Sequence, residues 1–234
     1  MNWVTNMVYI TGDKHGSYAG VRSFCATHNT TKDDVLIVLG DNGINFYRDA
    51  RDYWLKHKLS KLPITLFLIK GNHDARPEKI KAYHESEFWN GKVYIEPSFP
   101  NLIFAKDGEV YDINGHKALV IGGAYSVDKE YRLINGLKWF SDEQPTPEIK
   151  SNVERLVSSV KSFDFILTHT CPLSFISKHN IVDELFDDTD TSTEEWLDQI
   201  ESCVFYRCWY CGHWHVDKDC ESARFMYHDI ESLE

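Results

Sequence analysis

Three short apolar runs, residues 7–10, 35–39 and 65–70, end at Gly12, Gly40 and Gly71, and each glycine leads straight into a polar motif. Continuous apolar strands separated by polar stretches of helical spacing, notably residues 49–62, describe a sheet covered on both faces. In such sheets ligands meet the loops at the C-terminal ends of the strands. Asp13-Lys14-His15, Gly40-Asp41-Asn42 and Gly71-Asn72-His73-Asp74 all fall there. Two later runs, 165–167 and 205–211, repeat the arrangement with Thr168-His169 and Gly212-His213-Trp214-His215.

The middle of the chain is β-rich. Residues 101–105, 109–113 and 117–122 read as short strands, with Asp107-Gly108 and Asn114-Gly115 as hairpin turns between them. Residues 124–147 read as an irregular insertion near the site. Thr146 as N-cap and Pro147 at the first helical position start a helix running to about residue 161. A further helix opens at Thr193, and residues 224–229 are expected to close a second sheet. The motifs run from Asp13 to His215 and must converge, so residues 1–234 are read as one domain.

Charge narrows the function. Lysine and arginine number 25 against 36 acidic residues, giving 25 − 36 = −11. A sequence-independent binder of duplex nucleic acid needs a basic face, so that class is not expected. A small phosphate substrate stays open, because divalent ions reverse the local field. Residues 1–6 carry no basic, apolar leader pattern, and no apolar run approaches the ~20 residues of a membrane span. Six cysteines in a chain of this length, without an export signal, suit a reducing cytoplasm.

As candidate metal ligands, the five motifs supply two aspartates, one asparagine and four histidines. Mixed nitrogen and oxygen donors of this kind suit a pair of divalent transition metals, and two such metals hold the attacking and leaving oxygens of a displacement at phosphorus. Asp13 and His15 alternate by two, as do His213 and His215, so extended backbone would point each pair to one side.

In this order, D-x-H, G-D, G-N-H-D, T-H and G-H-x-H, the motifs resemble those of the calcineurin-like metallophosphoesterases, over nearly the whole chain. The segments 71–78, 122–129 and 209–213 are similar to an uncharacterised bacterial and phage subgroup. The resemblance implies an α/β fold, a four-layer αββα sandwich of two mixed β-sheets flanked by helices. It implies one metal held by Asp13, His15, Asp41 and His215 and a second held by Asp41, Asn72, His169 and His213, with Asp41 as the bridge. A bridging hydroxide would attack the phosphorus of a phosphomonoester or phosphodiester directly. His73 would stabilise charge or donate a proton on the leaving-group side. Manganese is the preferred metal; Fe, Zn, Ni and Co share the same ligands. The substrate expected is a small or nucleotide-like phosphoester.

One departure bears on substrate. Where many protein phosphatases of the family carry G-D-x-x-D-R-G, this chain has Ile44 for the second aspartate and Asn45 for the arginine. That disfavours a protein Ser/Thr phosphatase, which stays as an alternative beside a non-catalytic metal-binding scaffold. Arg76 is the expected replacement contact to phosphate, together with Asn72; Arg48 and Arg51 are poorer candidates. Asp128, Lys129 and Arg132 either edge the site or form a solvated loop, and Trp139-Phe140 either wall the substrate or pack in the core. Cys208-x-x-Cys211 is read as strand packing rather than a zinc or redox site. The acidic stretch 183–190 is read as a solvated loop, since it lacks the spacing of a calcium loop.

Overall fold

Alternation within the apolar runs decides the layering, because successive strand residues face opposite sides. The computed structural model describes residues 7–182 and 189–233. Residues 1–6, and Asp183, Glu184, Asp187 and Asp188 of the acidic stretch, lie outside that range.

The first half contains β1 (Val8–Thr11), α1 (Ala19–His28), β2 (Val35–Leu39), α2 (Ala50–Leu59), β3 (Thr65–Ile69), β4 (His84–Phe88), β5 (Gly91–Ile95) and β6 (Leu102–Ala105). Then come β7 (Val110–Ile113), β8 (His116–Ile121), α3 (Lys129–Ile134), α4 (Pro147–Ser159), β9 (Ser162–Thr168) and α5 (Leu173–Lys178). The chain continues through α6 (Ser192–Cys203), β10 (Phe205–Cys211), β11 (Lys218–Asp219), β12 (Ala223–Phe225) and β13 (Glu231–Ser232). One sheet has seven strands in the order β13-β1-β2-β3-β6-β5-β4, and the other has six, β11-β12-β10-β9-β8-β7. Both are mixed: parallel at their centres and antiparallel at their edges.

Val35, Ile37 and Leu39 of β2 face inward and meet Tyr111, Val120, Phe165 and Leu167 of the second sheet in a shared core. The alternate residues Leu36 and Val38 face outward, against Val21 and Cys25 of α1 and Leu59 of α2. On the far side, Ile166 and Trp209 pack against Val153 and Val157 of α4, Phe175 of α5, and Trp196 and Ile200 of α6. The result is the four-layer αββα sandwich. Each large side chain buried in these layers stabilises the fold by ~1.5–3 kcal/mol relative to leaving it in water.

Thr146 caps α4 as expected, its Oγ1 accepting from Ile149 N at 3.3 Å with Pro147 in the first turn. Asn114 and Gly115, at φ 52° and 87°, make the tight turn between β7 and β8. Other expectations need correction. Asp107-Gly108 does not close a hairpin: β6 belongs to one sheet and β7 to the other, so the chain crosses between layers there. Only β12 of the stretch 224–229 joins the second sheet, and the chain then returns as β13 to pair with β1. The β4–β5 hairpin escapes an apolar-run search because His84 to Glu87 are exposed and polar on a sheet edge. Cys208 and Cys211 lie on opposite faces of β10, in different cores, and both are free thiols. Among the described residues no helix is long and apolar enough to cross a membrane.

Candidate metal centre

β1, β2, β3, β9 and β10 all end at the same edge of the sandwich, and their polar motifs meet there. Backbone bonds tie the loops together. Lys14 N and His15 N both donate to Asp41 O, at 3.1 and 2.7 Å. His73 N donates to Asp41 Oδ1 at 2.9 Å, His213 N to Asp13 Oδ2 at 2.8 Å, and Gly212 N to His169 O at 2.9 Å.

The glycines preceding the motifs do more than end strands. Gly40 has φ +95°, and a Cβ there would lie 2.0 Å from His169 Nδ1. A Cβ on Gly71 would lie 2.1 Å from Asp41 N and Oδ1. Only a residue without a side chain lets the neighbouring functional groups come this close.

The convergence does not use the extended backbone that the alternation of Asp13 with His15 suggests. His15, Asp41, His213 and His215 all take left-handed φ, from 44° to 68°. Tight turns, stapled by the bonds above, bring the side chains round. His213 and His215 consequently diverge. The His215 ring meets His15, with Nε2 atoms 3.0 Å apart, while the His213 ring lies beside His169 at a centroid distance of 5.0 Å.

Two clusters can each hold a cation: Asp13 with His15 and His215, and Asp13 with Asp41 and His169. Asp41 spans them, its Oδ2 3.7 Å from His15 Nε2 and its Oδ1 3.6 Å from His169 Nε2. Asn72 joins the second cluster, with Oδ1 2.7 Å from His169 Nε2.

The protonation pattern shows how the site is polarised. Burial pushes the Asp13 carboxyl well above the usual range, and the charge of Asp41 pushes it further. Burial acts on Asp41 in the same direction, but His169, His73 and His15 outweigh it and hold that carboxyl down at about 2. Burial lowers His169 to about 4 and His213 to about 3, and it also lowers His73 and His215.

Hydrogen bonding then fixes which atoms face inward. The His169 Nδ1–H donates to Leu39 O at 2.7 Å, so the neutral ring presents a bare Nε2. Asn72 Nδ2 donates to Ser126 Oγ at 2.8 Å, and Ser126 Oγ donates to Glu143 Oε2 at 2.5 Å. That relay turns Asn72 Oδ1 toward His169. Two lone pairs thus face each other at 2.7 Å, and Asp13 Oδ1 nearby is buried without a hydrogen-bond partner. Facing acceptors and an orphaned buried carboxylate oxygen are satisfied by a cation, so these residues fit divalent metal.

The expected substrate-side residues fare unequally. His73 lies at the rim, Nε2 3.9 Å from Asp41 Oδ2 and 18% exposed. Asn72 has its amide nitrogen committed to Ser126, leaving only its oxygen for the site. Arg76 is not a phosphate contact. It is 2% exposed and turned away from the cluster, donating from Nη1 to Asp107 at 2.8 Å, from Nη2 to Gln144 O at 2.8 Å and from Nε to Asp142 O at 3.1 Å. Its role is to pin residues 142–144 to the crossover at Asp107.

Arg132 of α3 reaches the site instead, with Nη2 3.4 Å from His73 Nε2. Of the insertion's pair Trp139-Phe140, Phe140 stands edge-on to Phe46 at 6.1 Å. Three residues had no role assigned from sequence: Ser126, Glu143 and Asp74. Asp74 Oδ2 accepts from Gly71 N, Asn42 N and Asn42 Nδ2 at 2.9–3.1 Å, joining the second motif to the third. Its place inside Gly71-Asn72-His73-Asp74 was the available signal. Ser126 and Glu143 sit 17 residues apart in the insertion and carry no pattern.

The sequence model of the calcineurin-like phosphoesterase family matches residues 7–217. One solved structure aligns at TM-score 0.54 with 12% identity, over 98% of this chain and 98% of its own. TT1561 of Thermus thermophilus aligns at TM-score 0.51 with 13% identity, over 98% of this chain and 99% of its own. At those identities the likeness is one of fold. No curated protein matches the sequence.

Proposed function

Because the chain belongs to the calcineurin-like phosphoesterases, which are metal-dependent phosphoester hydrolases, we propose that this site binds two divalent ions and hydrolyses a small phosphomonoester or phosphodiester. Asp13, His15, Asp41 and His215 would hold one ion, and Asp41, Asn72, His169 and His213 the other. The observation that carries this reading is the facing pair His169 Nε2 and Asn72 Oδ1 at 2.7 Å, beside the orphaned Asp13 Oδ1. The two oxygens of Asp41, one toward His15 and one toward His169, support its role as the bridge. When bound, two such ions supply water acidified to near neutrality and neutralise charge on the phosphoryl oxygens. Manganese is the first metal to try, since this donor set suits several first-row ions.

The chain's own residues do the remaining work. Leu39 O orients His169, and the Ser126–Glu143 relay orients Asn72. His73, at the rim and beside Asp41, is placed to pass a proton to the leaving oxygen. A protein phosphatase is less well supported. Ile44 is buried in the outer core, and Asn45 is bonded to Tyr83 OH at 3.0 Å, so neither replaces the missing aspartate or arginine.

The test strips the protein with chelator, reloads it with Mn²⁺ and measures hydrolysis of nitrophenyl phosphate and bis-nitrophenyl phosphate. Turnover that needs metal and disappears in Asp41→Asn is expected. Inactivity across Mn, Fe, Co, Ni and Zn, with metal shown to be bound, would leave the scaffold alternative standing.

A further inference from the structure

The Arg132 guanidinium is held from one side only. Its Nε donates to Asp128 Oδ1 at 2.7 Å, its Nη1 donates to Lys138 O at 3.2 Å, and its Nη2 is left facing His73 Nε2 at 3.4 Å. That Nη2–H can donate to the Nε2 lone pair of the neutral imidazole, itself 3.9 Å from the Asp41 carboxylate, and an anion entering beside the pair would take the same donor at closer range. The residues that could have served otherwise are spent: Arg76 is buried on Asp107, Asn45 stands where an arginine is usual, and Arg51 is paired with Asp49 at 2.6 Å.

Beside Arg132 and His73 opens a cleft of about 360 Å³, whose wall includes Phe46, Tyr47, Arg51 and Leu55. That volume lies at the small end for ligand pockets and suits a small molecule better than a peptide laid along a groove. Its lining is flat. The Arg51 guanidinium lies over the Tyr47 ring at 3.7 Å, and Phe46 stands between Tyr47 at 4.9 Å and Phe140 at 6.1 Å, all edge-on. Guanidinium and aromatic faces accept planar rings by stacking.

We propose that Arg132 is the phosphoryl-binding residue of this site and that the adjoining cleft selects phosphoesters whose leaving group carries a planar ring, such as a nucleoside or an aryl group. The proposal rests on the phosphoesterase reading above, but its test needs no turnover. Inorganic phosphate, phenylphosphonate and methylphosphonate are titrated calorimetrically into Mn²⁺-loaded wild type, R132A, R132K and F46A, with Mn²⁺ affinity measured first in each.

Wild type is expected to bind phosphate and to prefer phenylphosphonate over methylphosphonate by about tenfold or more. R132A loses a charge-assisted contact, so phosphate should bind about 10- to 100-fold more weakly at unchanged Mn²⁺ affinity. R132K keeps the charge without the planar fork and should fall in between. In F46A the preference for the phenyl ligand should collapse.

Phosphate binding to R132A as tightly as to wild type, with Mn²⁺ bound, overturns the assignment of Arg132. Equal affinity of wild type for the two phosphonates overturns the ring selectivity. Wild type that takes up Mn²⁺ but no phosphate overturns both this inference and the proposed function. Phosphate binding through Arg132 without hydrolysis of any phosphoester sinks the proposed function alone.

Discussion

Arg76→Met separates two accounts of one arginine, because sequence position suggests a phosphate ligand and the structure shows a buried strut. The substitution keeps an unbranched side chain of similar length while removing the charge. It leaves the Asp107 carboxylate, only 6% exposed, without its partner at 2.8 Å, and it strips donors from the carbonyls of Asp142 and Gln144. Asp107 keeps only the Gly122 N–H, at 2.7 Å, among its strong contacts. Breaking a buried ion pair by removing one member costs ~3–5 kcal/mol. For a chain of this size each kcal/mol shifts Tm by ~2–4 °C, so Tm should fall by ~6–20 °C. Calorimetry gives the Tm, and nitrophenyl phosphate kinetics well below it give KM for the folded fraction, which should stay within about twofold of wild type. The double variant Arg76→Met/Asp107→Leu should recover most of the loss, since replacing both members of a buried pair by apolar groups is often neutral. An unchanged Tm together with a tenfold rise in KM would refute the reasoning and return Arg76 to the substrate.

Three further expectations concern the site and its surroundings. His73→Ala should keep Mn²⁺ binding by calorimetry but lower kcat by ~10²-fold or more if His73 is the proton donor; full turnover would remove that role. Ser126→Ala frees the Asn72 amide to rotate, and Mn²⁺ affinity should drop ~10–100-fold, as for other groups that orient a metal ligand; an unchanged titration would show that the relay is idle. Glu194, 4% exposed and accepting from Thr170 Oγ1 at 2.7 Å, is pushed by burial up to about 7 from an ordinary value of 4.5. Its folded-state value lies above the unfolded one, so its contribution is greatest below pH 4.5 and is lost as the pH rises toward 7. Glu194→Gln should therefore match wild type in Tm near pH 4 and exceed it at pH 8 by the equivalent of ~1–3 kcal/mol; a pH-independent difference would contradict the assignment.

Local chemistry made much of this protein legible in its sequence. Continuous apolar runs identify β1, β2, β3, β9 and β10, because a strand covered on both faces carries its burial in its own side chains. The glycine after four of these runs, and the Thr168-His169 pair after β9, with the carboxylate, amide or imidazole they bring, mark where a site can form. The Thr146-Pro147 helix start and the Asn114-Gly115 turn are equally local, each set by the φ/ψ preferences of two residues. An exposed hairpin such as β4–β5 buries too little to leave an apolar signature, and Asp107-Gly108 looks the same whether it closes a hairpin or crosses between layers.

What the tertiary structure alone decided is which charged and polar groups meet. Arg76 pairs with Asp107 across 31 residues, Arg132 reaches His73 across 59, and Ser126 with Glu143 orients Asn72 from 54 and 71 positions away. A long polar side chain carries the same donors whether it grips phosphate or props a loop, so its own identity does not choose between them. Burial chooses: once the two sheets close, a charge is stable only where a partner or a bound ion awaits it.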